Sequence, residues 1–303
     1  MLAIFFVLFE FVPYKQLLEM YQSSHKGYLL LAFAIFAGNY IIGVFRWRFL
    51  LSRMGIVIPS KEVLYVYFSG LFLNLFFPSF VAGDIFRGVS ISYRYGDSNK
   101  VASSVLMDRF SGAVAIAFIA IAAVCTGWDI VKSETSVFIC LLILLGAIGI
   151  ASLLIFTKTF FNFSLFLAGK SERLRKKLIS FHNQLYFFKK QPEVFFKSLL
   201  FSLPLQALTI VGFFIAAKAF LVKVSIADFF VIVPIIAAIA TIPITPAGAG
   251  TRDAAAVYFF SLIGIARSIG LSISLLNLIN AIAMGLVGGI VYVGVYHRYL
   301  ARR

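Results

Sequence analysis

Apolar residues run along this chain in long blocks, without the period-2 alternation and regular turns of an outer-membrane barrel. Six blocks are uninterrupted, at about 1–12, 28–51, 101–126, 136–157, 198–222 and 270–297. A helix needs roughly 20 residues to cross about 30 Å of hydrocarbon. The pattern therefore predicts an all-α integral membrane protein, a polytopic bundle of about six spanning helices. The first block is short for a crossing. "MLAIFFVLFEF" has no basic leader and no small-residue cleavage site, so it reads as a retained first helix. Two more regions, 63–95 and 226–264, are apolar but interrupted near the middle by Pro, Gly and charged residues.

Composition agrees with the pattern. The 303 residues are 61% hydrophobic and 13% charged, with a mean hydropathy of +0.99. A soluble domain is about half apolar and a quarter charged. The net charge of +15 sits mostly at the ends of apolar blocks. That placement fits topogenic charge on the cytoplasmic side, with a second role in attracting anionic headgroups, and not a nucleic-acid partner. Arg46, Arg48 and Arg53 mark the end of the second block as cytoplasmic. Arg298, Arg302 and Arg303 do so for the last, and the very basic segment 158–197 is expected to form an amphipathic helical hairpin on that face.

Were both interrupted regions full crossings, Arg87, Arg94, Lys100 and the basic 158–197 segment would fall outside. Treating each as a re-entrant broken helix removes the conflict. The first then enters from the cytoplasm and the second from the opposite side. An internal repeat points the same way. "PSFVAGDIFR", Pro78 to Arg87, and "PITPAGAGTR", Pro243 to Arg252, share the frame Pro, three residues, Ala-Gly, three residues, Arg. Such pairs arise from an inverted-topology repeat with a site near the midplane. The chain reads as one transmembrane domain over 1–303, with repeat 1 at about 28–126 and repeat 2 at about 198–297.

Irregular backbone at membrane depth is tolerated only inside protein or beside a watery cavity. Pro78, Pro243 and Pro246 end the preceding helices, and Gly83, Gly248 and Gly250 allow unusual dihedrals or close approach. New helices are expected from Asp84 and behind a Thr251 cap, each presenting N–H groups to an anion. Asp84 and Arg87 lie three apart and should pair. Arg252 and Asp253 are adjacent, so each is expected to seek partners elsewhere, across the repeat interface. Two guanidiniums beside two helix starts can take a phosphate when a carboxylate is displaced. The plain alternative is that these charges only pin the broken helices together.

Asp108-Arg109, two turns inside a block, reads either as a third part of the site or as a pair with a snorkelling Arg. Asn39, Gln206, Asn277 and Asn280 read as interhelical glue. Asn74, one turn before the first break, is the amide expected at the site. No cofactor or metal is expected. His25, His182 and His297 lack ligand spacing, Cys125 and Cys140 read as packing residues, and no nucleophile, phosphate-loop or dinucleotide motif occurs.

"PSFVAGDIFRG", "SSVLMDRFSG" and "PITPAGAGTRDAA" together resemble the signature regions of the lysylphosphatidylglycerol synthase transmembrane, or flippase-like, family. Its patterns are close to P-x-x-x-G-G-D/E-x-x-R, D-R-x-x-G and P-x-G-G-x-G-x-R-E. Here Ala82 and Ala247 replace glycine and Asp253 replaces Glu. The resemblance implies a bundle with re-entrant helices that moves or handles lipid. In multiple peptide resistance factors, this region flips aminoacylated phosphatidylglycerol made by a further domain. The sequence stops at Arg303, so no aminoacyl-transfer chemistry is expected. The expected function is a lipid flippase or transporter of the cytoplasmic membrane, binding an anionic phospholipid or lipid-linked headgroup through Arg87 and Arg252. A separate lipid-modifying synthase is an expected partner. The alternatives are a membrane glycosyl- or phosphotransferase and a small polar-solute transporter.

Overall fold

The computed structural model describes residues 14–77, 81–125, 127–157, 172–242 and 248–296. Twelve α-helices lie among them: α1 Tyr14–Ser23, α2 Lys26–Arg53, α3 Ser60–Leu73, α4 Val81–Tyr95, α5 Ser98–Val124, α6 Trp128–Ser133, α7 Thr135–Phe156, α8 Glu172–Lys190, α9 Pro192–Ala219, α10 Ile226–Ala240, α11 Thr251–Leu262 and α12 Arg267–Val291, the last continuing into a π-helical turn. The expected crossing at 1–12 falls outside the described residues.

The other five blocks are the helices α2, α5, α7, α9 and α12, all long and apolar enough to cross a membrane. Observed bounds differ from the predicted ones by only a few residues. The largest shifts are equal, at the end of α12 and at the start of α9, which begins at Pro192 because proline suits the first helical position. That start leaves only Gln191 between α9 and α8. Of the expected cytoplasmic hairpin, then, one helix is described, and its Leu185 and Phe188 pack with Leu50, Met107 and Phe110.

The two interrupted regions fold as antiparallel pairs of half-length helices. At 1.5 Å per residue, α3, α4, α10 and α11 span about 18–22 Å each, short of a crossing. Glu62, in the first turn of α3, meets Arg94 in the last turn of α4 at 3.2 Å. In the second pair Phe229, near the start of α10, packs its ring 5.2 Å from that of Phe260, near the end of α11. Each pair thus returns to the end of the bundle from which it started. The first pair opens beside the end of α2 and the start of α5. The second opens beside the end of α9 and the start of α12.

Packing relates the elements pairwise. The helix α2 lies along α9, α3 packs on α12, and α10 packs on α5. Close crossings use glycine. A Cβ at Gly288 would overlap the Phe68 carbonyl oxygen, and Gly83 and Gly70 leave no room for one on either side of the α3/α4 hairpin. In membranes, where lipid is as apolar as leucine, small residues at such contacts supply much of the association.

Candidate functional site

Both helix starts differ from expectation. The helix α4 begins at Val81, not Asp84, and Asn74 Oδ1 accepts from the Gly83 N–H at 2.7 Å. Gly83 is helical, and its role is the close approach to Gly70. In the second repeat Gly250, with φ +90, occupies the cap position expected for Thr251, and Gly248 also has φ +68. Glycine adopts such angles without the Cβ clash of other residues. The Gly250 N–H donates to Asp253 Oδ2 at 2.8 Å, while Thr251 donates weakly to the Gly248 carbonyl. Side chains therefore already take one N–H at each helix start. Pro78, Pro243 and Pro246 lie outside the described residues.

Asp108 is the hub of the charge cluster. It is 1% exposed, and its two oxygens accept from Arg46 Nε at 2.7 Å and Arg87 Nη2 at 2.9 Å. Arg87 also pairs with Asp84 at 3.0 Å, as the three-residue spacing predicts. Arg109 does not snorkel away. It holds Asp84 through Nε and Nη2, at 2.6 and 2.9 Å, in the two-pronged geometry that suits guanidinium to carboxylate. Ser202 takes a further Arg46 proton at 2.9 Å, and its own proton has the Ser198 carbonyl at 3.0 Å and Ser111 Oγ at 3.2 Å as acceptors. Arg87 lies over the rings of Trp47 and Tyr67 at 4.8 and 5.3 Å, a cation–π arrangement, and its Nε meets no acceptor among the described residues.

Arg46 corrects the sequence reading. Counted in the sequence with Arg48 and Arg53 as marking the cytoplasmic end of the second block, it is buried, while Arg48 and Arg53 are exposed. It lies seven residues inside the end of α2, about 10 Å, and that offset was the available signal. Three guanidiniums now face two carboxylates, leaving one positive charge in excess.

The cluster borders a cavity of about 800 Å³. Arg46, Asp84, Asp108 and Arg109 line one part of it, and the rest is largely apolar surface from α5, α7 and α10. Half of the Arg109 side-chain surface is accessible, and the residue lines this space.

The second repeat's charges form a separate joint. Contrary to expectation, Arg252 and Asp253 contact one another, Nη2 to Oδ1, at 3.3 Å. Both also engage Ser274 on α12, and Arg252 Nη1 donates to Asn277 Oδ1 at 2.9 Å. Their partners thus lie within the same repeat. These residues dock α11 onto α12 as a neutral group and are not among those lining the cavity. Tyr40, on α2, also lines the cavity. Among the described residues no cluster of His, Cys, Asp or Glu is arranged to hold a metal.

No curated protein matches the chain. A model of the lysylphosphatidylglycerol synthase transmembrane region matches residues 1–289, across the buried arginines, the broken helices and the five long ones, and the chain belongs to that family of multi-pass membrane proteins.

Proposed function

We propose that the protein is a lipid flippase or transporter of the cell membrane that binds an anionic headgroup at Arg46, Arg87 and Arg109. One observation carries the reading: a buried cluster with one excess positive charge opens onto a large, mainly apolar cavity. A charge at membrane depth is costly and by default marks a substrate path. The volume lies within the roughly 300–1,000 Å³ usual for ligand sites. A phosphate entering the cavity meets Arg109 first, and its oxygens replace the Asp84 carboxylate on the same two N–H groups. Asp84 keeps Arg87 as a partner, so the exchange strands no buried charge. Arg252 and Asp253 hold α11 in place behind the site.

Two features support alternating access by an inverted repeat. The half-length pairs are short for crossings and open at different ends of the bundle, which suits re-entrant hairpins from opposite faces. The packing partners also exchange under the repeat: α3 on α12 corresponds to α10 on α5, and α2 faces its counterpart α9. Loop charge supports a cytoplasmic position for the α8 end.

The test is translocation of a fluorescent phospholipid in proteoliposomes, read by reduction of the outer-leaflet dye. Arg87→Gln and Arg109→Gln should lower the rate at least tenfold. Rates equal to wild type in both would sink the site.

A further inference from the structure

We propose that the same cavity carries a second, uncharged subsite, formed by Gln206, Tyr40 and Tyr67 and backed by Asn39, for the hydroxyls of a polyol or sugar joined to the phosphate. The inference rests on the anion-site reading above and narrows the headgroup to a neutral, hydroxylated one.

The polar atoms are oriented by their neighbours. Gln206 Nε2 donates to the Gly112 carbonyl at 3.5 Å. The reverse amide orientation would oppose two acceptors, so Oε1 is the atom left over. Oε1 meets no donor among the described residues and is not sealed from the cavity that Gln206 lines. The Thr209 hydroxyl gives its proton to the Leu205 carbonyl at 3.0 Å. It can therefore only accept from Asn39 Nδ2, at 2.9 Å, which leaves Asn39 Oδ1 without a donor. Oδ1 is covered, so Asn39 backs the subsite while Gln206 fronts it. Tyr40 and Tyr67 also line the cavity, and their hydroxyls make no hydrogen bond to a described residue. A Cβ on Gly43 would overlap the Tyr67 hydroxyl, so glycine at that position lets the phenol reach in.

Position and charge identify the ligand group. Gln206 is one turn beyond Ser202, the residue that holds Arg46, so subsite and guanidiniums stand about 5–6 Å apart along α9. A glycerol or a single sugar ring spans that distance from a phosphate. Both cavity carboxylates, Asp84 and Asp108, stay paired with Arg87 once a phosphate takes Arg109 and balances the one excess positive charge. A headgroup ammonium would find no free carboxylate there. Hydroxyls, which donate and accept, match an amide oxygen and two phenols.

Binding is followed by the fluorescence of Trp47, beside Arg87, in purified protein carrying Trp128→Phe. Three short-chain probes are compared: phosphatidylglycerol, phosphatidylmethanol with the same charge but no hydroxyl, and lysyl-phosphatidylglycerol. Phosphatidylglycerol should bind about tenfold tighter than phosphatidylmethanol, the gain from one or two net hydrogen bonds, and the lysyl lipid weakest. Gln206→Leu and Tyr40→Phe should each narrow the gap between the first two. Equal wild-type affinities for those two, or a Gln206→Leu loss that is the same for both, overturns the subsite alone. Tighter binding of the lysyl lipid overturns its neutral character. Phosphatidylmethanol binding that survives Arg109→Gln overturns the anion site instead.

Discussion

Asp108 and Arg109 are neighbours in sequence with opposite environments, and the contrast sets what each contributes. Asp108 is fully buried between Arg46 and Arg87. Removing one partner of a buried ion pair leaves uncompensated charge and costs about 3–5 kcal/mol. Asp108→Asn should therefore lower the unfolding midpoint of the detergent-solubilised protein strongly. Arg109 is half-exposed, and such pairs are worth about 1 kcal/mol or less. Arg109→Gln should leave the midpoint nearly unchanged while abolishing translocation. Comparable destabilisation by both would refute this division of roles. Asn74→Ala removes the acceptor for the Gly83 N–H, a loss of about 1 kcal/mol at a helix start. The sequence already marked Asp84, Arg87, Asp108, Arg109 and Asn74. It misplaced Arg46, because a charge near a block's end looks the same whether it faces headgroups or turns inward to a partner 62 residues away.

At the scale of elements, the half-length helices are held by close packing on long neighbours. The α3–α12 crossing depends on Gly288, where a Cβ meets backbone that cannot yield. Gly288→Ala should destabilise by about 1–3 kcal/mol, as overpacking does. Gly146→Ala on α7, where nothing lies near, should stay within about 0.5 kcal/mol. Equal midpoints for the two variants would show that the crossing is looser than described. The breaks themselves were legible, because proline, glycine and charge in an apolar run admit few readings. The helix starts were not. Capping at α4 and α11 falls to Asn74 and Asp253, at different offsets from the two breaks.

For the whole molecule, sidedness and cavity are the testable quantities. A cysteine replacing Lys189 should react with an impermeant maleimide only from the cytoplasmic side, and one replacing Glu134 only from outside. The reverse pattern would invert the assigned topology. Ala147, on the α7 wall, points to a further check: Ala147→Phe should block translocation by filling the cavity without lowering the midpoint. Long apolar blocks, their flanking charges and the repeated Pro–Gly–Arg frame were enough to determine a helical membrane protein with two broken regions. Hydrophobic length and local chain breaks are properties of contiguous residues. Tertiary structure alone decided that the arginines of the two repeats part company. Arg87 joins Asp108 and Arg46 beside a cavity, whereas Arg252 closes on Asp253, Ser274 and Asn277. A buried charge is defined by the partners that surround it, and here those partners come from helices far apart along the chain.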